Sequence, residues 1–198
     1  MQDDGDLAPA LAAAQRGEEA GFSALWLGLN PQLLRYLRVL VGDSADDVAS
    51  ETWLQAARDL RTFRGDIAGF RVWLFRIARN RGIDDLRRLR RRREDPYDTG
   101  VHERLGAGED AEGAAFDRLG TGWALAVITT LPPDQAEAVM LRVVAGLDVA
   151  QTAQVLGKRP GAVRVAAMRG LRRLATHPQV LAQVQARSGL ASARPEGV

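Results

Sequence analysis

Six of the seven positions from Arg87 to Arg93 are arginine, and a second arginine set, Arg164, Arg169, Arg172 and Arg173, follows in the last third of the chain. Guanidinium groups at this density do one kind of chemistry well. They bind phosphate, or take guanine by a bidentate pair of hydrogen bonds. The residues that could instead break or make bonds are poorly placed. His102 and His177 lie far apart, and there is no cysteine to help them hold a metal. Asp84 and Asp85 are adjacent on a helical pattern and point different ways, so they form no acid/base pair. No Gly-Lys-Ser phosphate loop and no Gly-x-Ser-x-Gly elbow occurs. The residues therefore predict a protein that binds, not an enzyme, with no catalytic residue, no metal and no cofactor.

The charge is segregated. Net charge is only +2 over 198 residues, yet the pI is near 9.6. The first twenty-one residues are acidic, 58–93 strongly basic, 94–117 mostly acidic and 158–173 basic again. Two separated basic blocks suggest two places that meet phosphate, or else two solvated helix faces. Absence of cysteine excludes a disulfide framework. The acidic start does not read as a secretory signal, and no run of about 18 apolar residues exists to span a membrane. A cytoplasmic protein without membrane insertion is expected.

The elements that must position these arginines are helical. Ala, Leu, Arg, Glu and Gln dominate, and alternating β-branched runs are absent. The pattern predicts helices over 7–16 and 18–29, with Asn30 capping a restart at Pro31 that runs to Val41. Ser44 is expected to cap a helix over 45–60, with Asp47 as its box partner. The stretch 62–69, TFRGDIAG, reads as a loop, and a long helix follows over 70–91. Residues 94–118 read as an acidic, flexible linker. A second helical unit spans Trp123 to Ala175, and a weak helix and a disordered tail follow Pro178.

Two helices carry a second face. Over 46–60, Val48, Ala49, Thr52, Trp53, Ala56, Ala57 and Leu60 make a core stripe. Asp47, Glu51, Leu54, Gln55 and Arg58 make another, with an apolar Leu ringed by polar groups, as on a modest protein-docking face; a single exposed Leu alone needs no such explanation. In LPPDQAEAVMLRVVAGLDVAQTAQVLGKRPGAVRVAAMRGLRRLA, residues 131–175, Asp148 caps a short helix that Gly157 stops, and Pro160 starts another. There Val163, Ala167, Gly170, Leu171 and Leu174 make a buried face. Arg164, Val165, Met168, Arg169, Arg172 and Arg173 lie opposite. This is a helix-turn-helix with a basic outer face, or a plain helical hairpin.

Together these blocks resemble the sigma-70 superfamily of bacterial RNA polymerase sigma factors, of the extracytoplasmic-function type. The carriers are GFSALWLGLNPQLLRYLRVLVGD, DDVASETWLQAARDL and FRGDIAGFRVWLFRIARNRGIDDLRR in the first half. LPPDQAEAVMLRVVAGLDVAQTAQVLGKRPGAVR and RGLRRL carry it in the second. The resemblance implies an all-α chain of two small helical domains. In chain order it implies an acidic extension (1–19), region 2 (20–93), a linker (94–121), region 4 with the helix-turn-helix (122–176), and a tail (177–198), regions 2 and 4 being the two domains. It implies a protein that binds core RNA polymerase, at the β′ clamp helices and the β flap, and directs promoter-specific initiation. Asp47, Glu51, Leu54, Gln55 and Arg58 become candidates for polymerase docking.

For opening the minus-ten promoter element, with a flipped base to be stacked and its phosphates held, the implied candidates are Phe63, Arg64, Phe70, Arg71, Trp73, Arg76, Arg79, Asn80, Arg87, Arg88 and Arg91. For the minus-thirty-five element they are Lys158, Arg159, Arg164, Val165, Met168, Arg169 and Arg172. An anti-sigma protein is expected as a partner from the resemblance alone. Asp84 is expected to pair with an arginine, since carboxylate repels phosphate.

The chain departs from the family pattern where Ala162 replaces a small hydroxyl residue and Val165 and Ala166 replace a polar pair. Readout by these positions then shifts toward apolar contact with a thymine methyl. A stand-alone helix-turn-helix regulator with a sensing first domain is the alternative reading, though the arginine-rich long helix argues against a sensor. A protein–protein adaptor would leave both arginine blocks without a role.

Overall fold

A computed structural model describes residues 4–94 and 122–192, which form helices joined by turns and short loops, with no strand among them. In the first half α1 (Asp4–Gln15), α2 (Glu19–Val41), α3 (Ala45–Asp59) and α4 (Ile67–Glu94) pack together. In the second, α5 (122–129) leads to α6 (Pro133–Val139), α7 (Val149–Leu156), α8 (Pro160–Ala175) and α9 (Pro178–Ser192). The acidic linker lies outside the described residues. α9 continues to Ser192, further than the expected disordered tail allows.

The predicted break at Pro31 is not there: α2 is one helix with Pro31 inside it. Its buried stripe, Leu25, Leu29, Leu33, Tyr36 and Leu37, crosses the proline without a phase change. Packing of a continuous apolar face outweighs the one backbone bond that proline removes. Asn30 is not a cap. Its Oδ1 accepts a 3.0 Å bond from Trp53 Nε1 on α3, and Phe22 meets the same indole edge-on at 5.7 Å. Ser44 is not a side-chain cap either; a 3₁₀ turn, Gly42–Ser44, feeds α3 directly.

α3 buries Val48, Ala49, Thr52, Trp53 and Ala56 as its periodicity requires, but Ala57 faces solvent. α4 begins at Ile67, inside the predicted loop, because Asp66 Oδ1 accepts the Gly69 amide at 2.8 Å and caps it. Phe70, Leu74, Phe75 and Ala78 then lie fully buried against α2. Gly82 lets the two helices approach: a Cβ there would stand 2.8 Å from Leu40 Cδ2 and 3.1 Å from Val41 Cγ1.

The second half follows its local signals closely. Asp148 and Gln151 form a reciprocal capping box at the start of α7, with both bonds at 2.8 Å. Gly157 takes the left-handed conformation, φ 63°, that ends it. Between α6 and α7 the chain widens into one π turn over Met140–Val144, with the Ala145 amide bonded to Met140 O at 3.0 Å. α8 packs on α6 at Gly170, where a Cβ would meet Val139 Cγ2 at 2.8 Å. Val163 and Ala167 are buried, but Leu171 is 47% exposed, against expectation.

The two halves share one continuous buried cluster, with Leu25 and Phe75 at one end and Leu141 and Val163 at the other. α4 lies along α7, and α2 touches α6.

Candidate nucleic-acid and docking surfaces

On α3, Asp47, Leu54 and Arg58 are exposed, and Leu54 is 59% accessible in a polar surround. Glu51 and Gln55, on the same stripe, turn partly inward. Gln55 Oε1 accepts two hydrogen bonds from Arg81 on α4, at 3.1 and 3.0 Å. Glu51 lies 3.5 Å from Arg81 and 3.9 Å from Arg88. The stripe is thus split into an outward group and a pair that holds α3 against α4. Arg81 escapes sequence reasoning because it is one arginine among many.

The residues singled out on the loop and α4 fall into three environments. Phe63, Phe70 and Trp73 form one aromatic cluster, with centroids 5.2 to 5.6 Å apart. Phe70 is its fully buried floor, while Phe63 and Trp73 are half-buried at the surface. Arg71 is also buried, and its Nη2 donates to Gln32 Oε1 at 2.8 Å. Phe70 and Arg71 are therefore core residues here and are removed from the face that could meet a nucleic acid.

Arg64, Arg76, Asn80, Arg87, Arg88 and Arg91 are exposed. The loop that carries Arg64 is braced by Gln15 of α1, whose Nε2 donates to Phe63 O at 2.9 Å. Arg87 donates to Asp84 Oδ1 at 3.2 Å, so Asp84 has the arginine partner expected of it.

Arg79 stands apart. Its Nε and Nη2 donate to Oε1 and Oε2 of Glu137, at 3.0 and 3.3 Å, across the junction between the halves. The Tyr36 hydroxyl donates to the same Glu137 Oε1 at 3.1 Å. Burial, and then the adjacent Glu137 charge, push the Tyr36 phenol well above its ordinary 10.0. The hydroxyl therefore stays a donor throughout the physiological range. Neither Tyr36 nor Glu137 was legible as a site residue. The one signal was a carboxylate inside the small apolar run Ala136–Met140.

α8 presents a different surface. Arg164, Val165, Met168, Arg169 and Arg172 are all exposed, as is Arg159 at its start. Lys158 is not free for DNA in this arrangement, since its Nζ lies 2.7 Å from Asp134 Oδ1 on α6. Beside the basic face runs an open apolar groove of about 500 Å³, bounded by Val143, Met168 and Leu171, with Arg164 and Arg172 at its rim. Among the described residues no cluster of three metal-ligating side chains occurs, and no helix is long and apolar enough to cross a membrane.

These two surfaces coincide with two family matches. Residues 25–92 match Sigma-70 region 2, and residues 122–174 match Sigma-70 region 4. The extracytoplasmic-function (ECF) sigma factor BldN of Streptomyces coelicolor is 37% identical over 167 residues, which cover 82% of this chain and 62% of BldN. The ECF sigma factor SigD of Mycobacterium tuberculosis is 34% identical over 170 residues, covering 83% of this chain and 80% of SigD.

Among solved structures, RpoE of Bartonella quintana in complex with the anti-sigma factor NepR superposes with a TM-score of 0.58 at 24% identity. That match covers 77% of this chain and 92% of RpoE. CnrH, bound to the cytosolic domain of CnrY, superposes with a TM-score of 0.57 at 22% identity, covering 90% of this chain and 97% of CnrH. At these identities the two structures speak for the fold. The sequence matches go further: this chain belongs to the sigma-70 family, in its ECF group of RNA polymerase sigma factors.

Proposed function

We propose that the chain works as the promoter-specificity subunit of RNA polymerase, with α3 docking on the polymerase, α4 and its preceding loop serving the minus-ten element, and α8 reading the minus-thirty-five element. The observation that carries this is the occurrence of regions 2 and 4 in order on one chain, each with a helix whose outer face is polar or basic rather than buried. The exposed side chains narrow the residue assignments. Asp47, Leu54 and Arg58 form the docking group. Phe63 and Trp73 supply an aromatic platform on which an unpaired base stacks. Arg64, Arg76, Asn80, Arg87, Arg88 and Arg91 lie within the same domain to bind strand and backbone. Arg164, Arg169 and Arg172 meet the duplex, and Val165 or Met168 meets a thymine methyl.

The chain acts by binding and by opening DNA, in the cytoplasm where the polymerase and the promoter are; the bond-forming chemistry is the polymerase's. RpoE of Bartonella quintana was solved in complex with the anti-sigma factor NepR, and an anti-sigma protein is the expected regulator of this chain too.

The test is association with core polymerase that lacks any sigma, followed on a sizing column. A stable complex is expected, weakened about tenfold or more by Leu54→Ala or Asp47→Arg. A folded chain that fails to associate at micromolar concentration, with Glu137 either intact or replaced, would point instead to a free DNA-binding regulator.

A further inference from the structure

Glu137 is a buried carboxylate whose described hydrogen bonds all come from the other half of the molecule. Its partners, Arg79 and Tyr36, are 58 and 101 residues away in sequence. On α6 itself its neighbours are Ala136, Ala138 and Val139, all buried and apolar. A carboxylate in that setting is stabilised only while the two halves stay together; once they part, it returns to water. The Arg79 fork takes both of its oxygens, the same planar geometry by which arginine takes a phosphate. One guanidinium cannot present that edge to both at once.

The surrounding seam is not densely closed. A cavity of about 220 Å³ lies beside the triad, between Leu40 and Leu86 of the first half and Leu131 and Met140 of the second, with Arg90 at its edge. The junction thus joins the shared apolar cluster to a small polar latch beside a partly open cavity, and the latch is the part of it that carries charge.

We propose that Glu137 is an intramolecular competitor of promoter DNA, closing the two halves on each other by occupying Arg79 and giving it up when the chain opens to bind. This rests on the proposed sigma-factor function and on the sequence-based expectation that Arg79 meets the minus-ten element, a role open to it only once Glu137 lets it go; the experiment separates the two. The chain has no cysteine, so Ser50 and Gln154, both exposed, can be replaced by cysteine and spin-labelled in the full-length protein. The distance between the labels is measured in the parent and in Glu137→Ala, with Glu137→Gln as the shape-preserving variant should Glu137→Ala fail to keep its helical circular dichroism. Affinity for a randomised single-stranded DNA pool is measured alongside.

The expected result is a longer inter-label distance in the variant and a rise in DNA affinity of up to about tenfold, the gain available if roughly a tenth of the parent is open. Adding Arg79→Ala should remove the gain in affinity while leaving the longer distance. An unchanged distance in a folded variant overturns the latch. A longer distance with no change in DNA affinity, with or without Arg79, overturns the competition and identifies the DNA reading of Arg79 as the part that failed.

Discussion

α4 and α8 are both arginine-rich helices of a sigma factor, yet they hold their arginines differently. On α8 the buried face is made of Val163, Ala167 and Gly170, and the arginines lie opposite, in water. On α4 arginine occurs on every side. Arg71 is buried against Gln32, Arg79 is bound across the junction, and Arg81 is bonded to α3. Among the described side chains of α4, Arg76, Arg87, Arg88, Arg90, Arg91 and Arg92 remain as a solvated surface. A short helix that presents one face can be read from its periodicity. A long helix in contact with α2, α3 and α7 divides the same residue type between structure and binding, and composition does not reveal the division.

The sharpest way to break this contrast is at the floor of the aromatic cluster. Phe70→Ala removes a fully buried ring and should cost about 3–5 kcal/mol of stability in urea unfolding. A much smaller cost would mean that the ring is not core and belongs with Phe63 and Trp73. Next in size is Arg79→Ala. A permanently buried pair broken on one side costs about 3–5 kcal/mol. Here the halves can separate and return Glu137 to water, so about 1–2 kcal/mol is expected. A loss at the upper end would show that the junction does not open. Smallest is the double change Arg164→Ala with Arg172→Ala, both on exposed positions. Stability should move by less than about 0.5 kcal/mol. Duplex affinity should fall, and the slope of log affinity against log salt should become shallower by about 1.8.

The second half was the more legible in the sequence because its signals are local. The Asp148–Gln151 box, the left-handed Gly157 and the proline at the start of α8 each act within a few residues. In the first half the local signals misled where tertiary packing overrode them. Pro31 reads as a helix start, but the apolar stripe of α2 carries straight through it. Phe70 and Arg71 read as available because the number of helices packed around α4 is not written in its own periodicity. The latch was invisible for a related reason. Its three members sit at positions 36, 79 and 137, on three helices, and no spacing rule links them.

The cavity beside that latch gives water a way into the junction. Space bordered by Val39, Leu40, Leu86 and Leu131 is roomy enough for water and open on one side while the halves are together, and it merges with bulk solvent when they part. Glu137 lines that space. Water at the seam is thus placed to take over the hydrogen bonds of the carboxylate as Arg79 leaves it, so the charge passes from one set of donors to another without a dry interval.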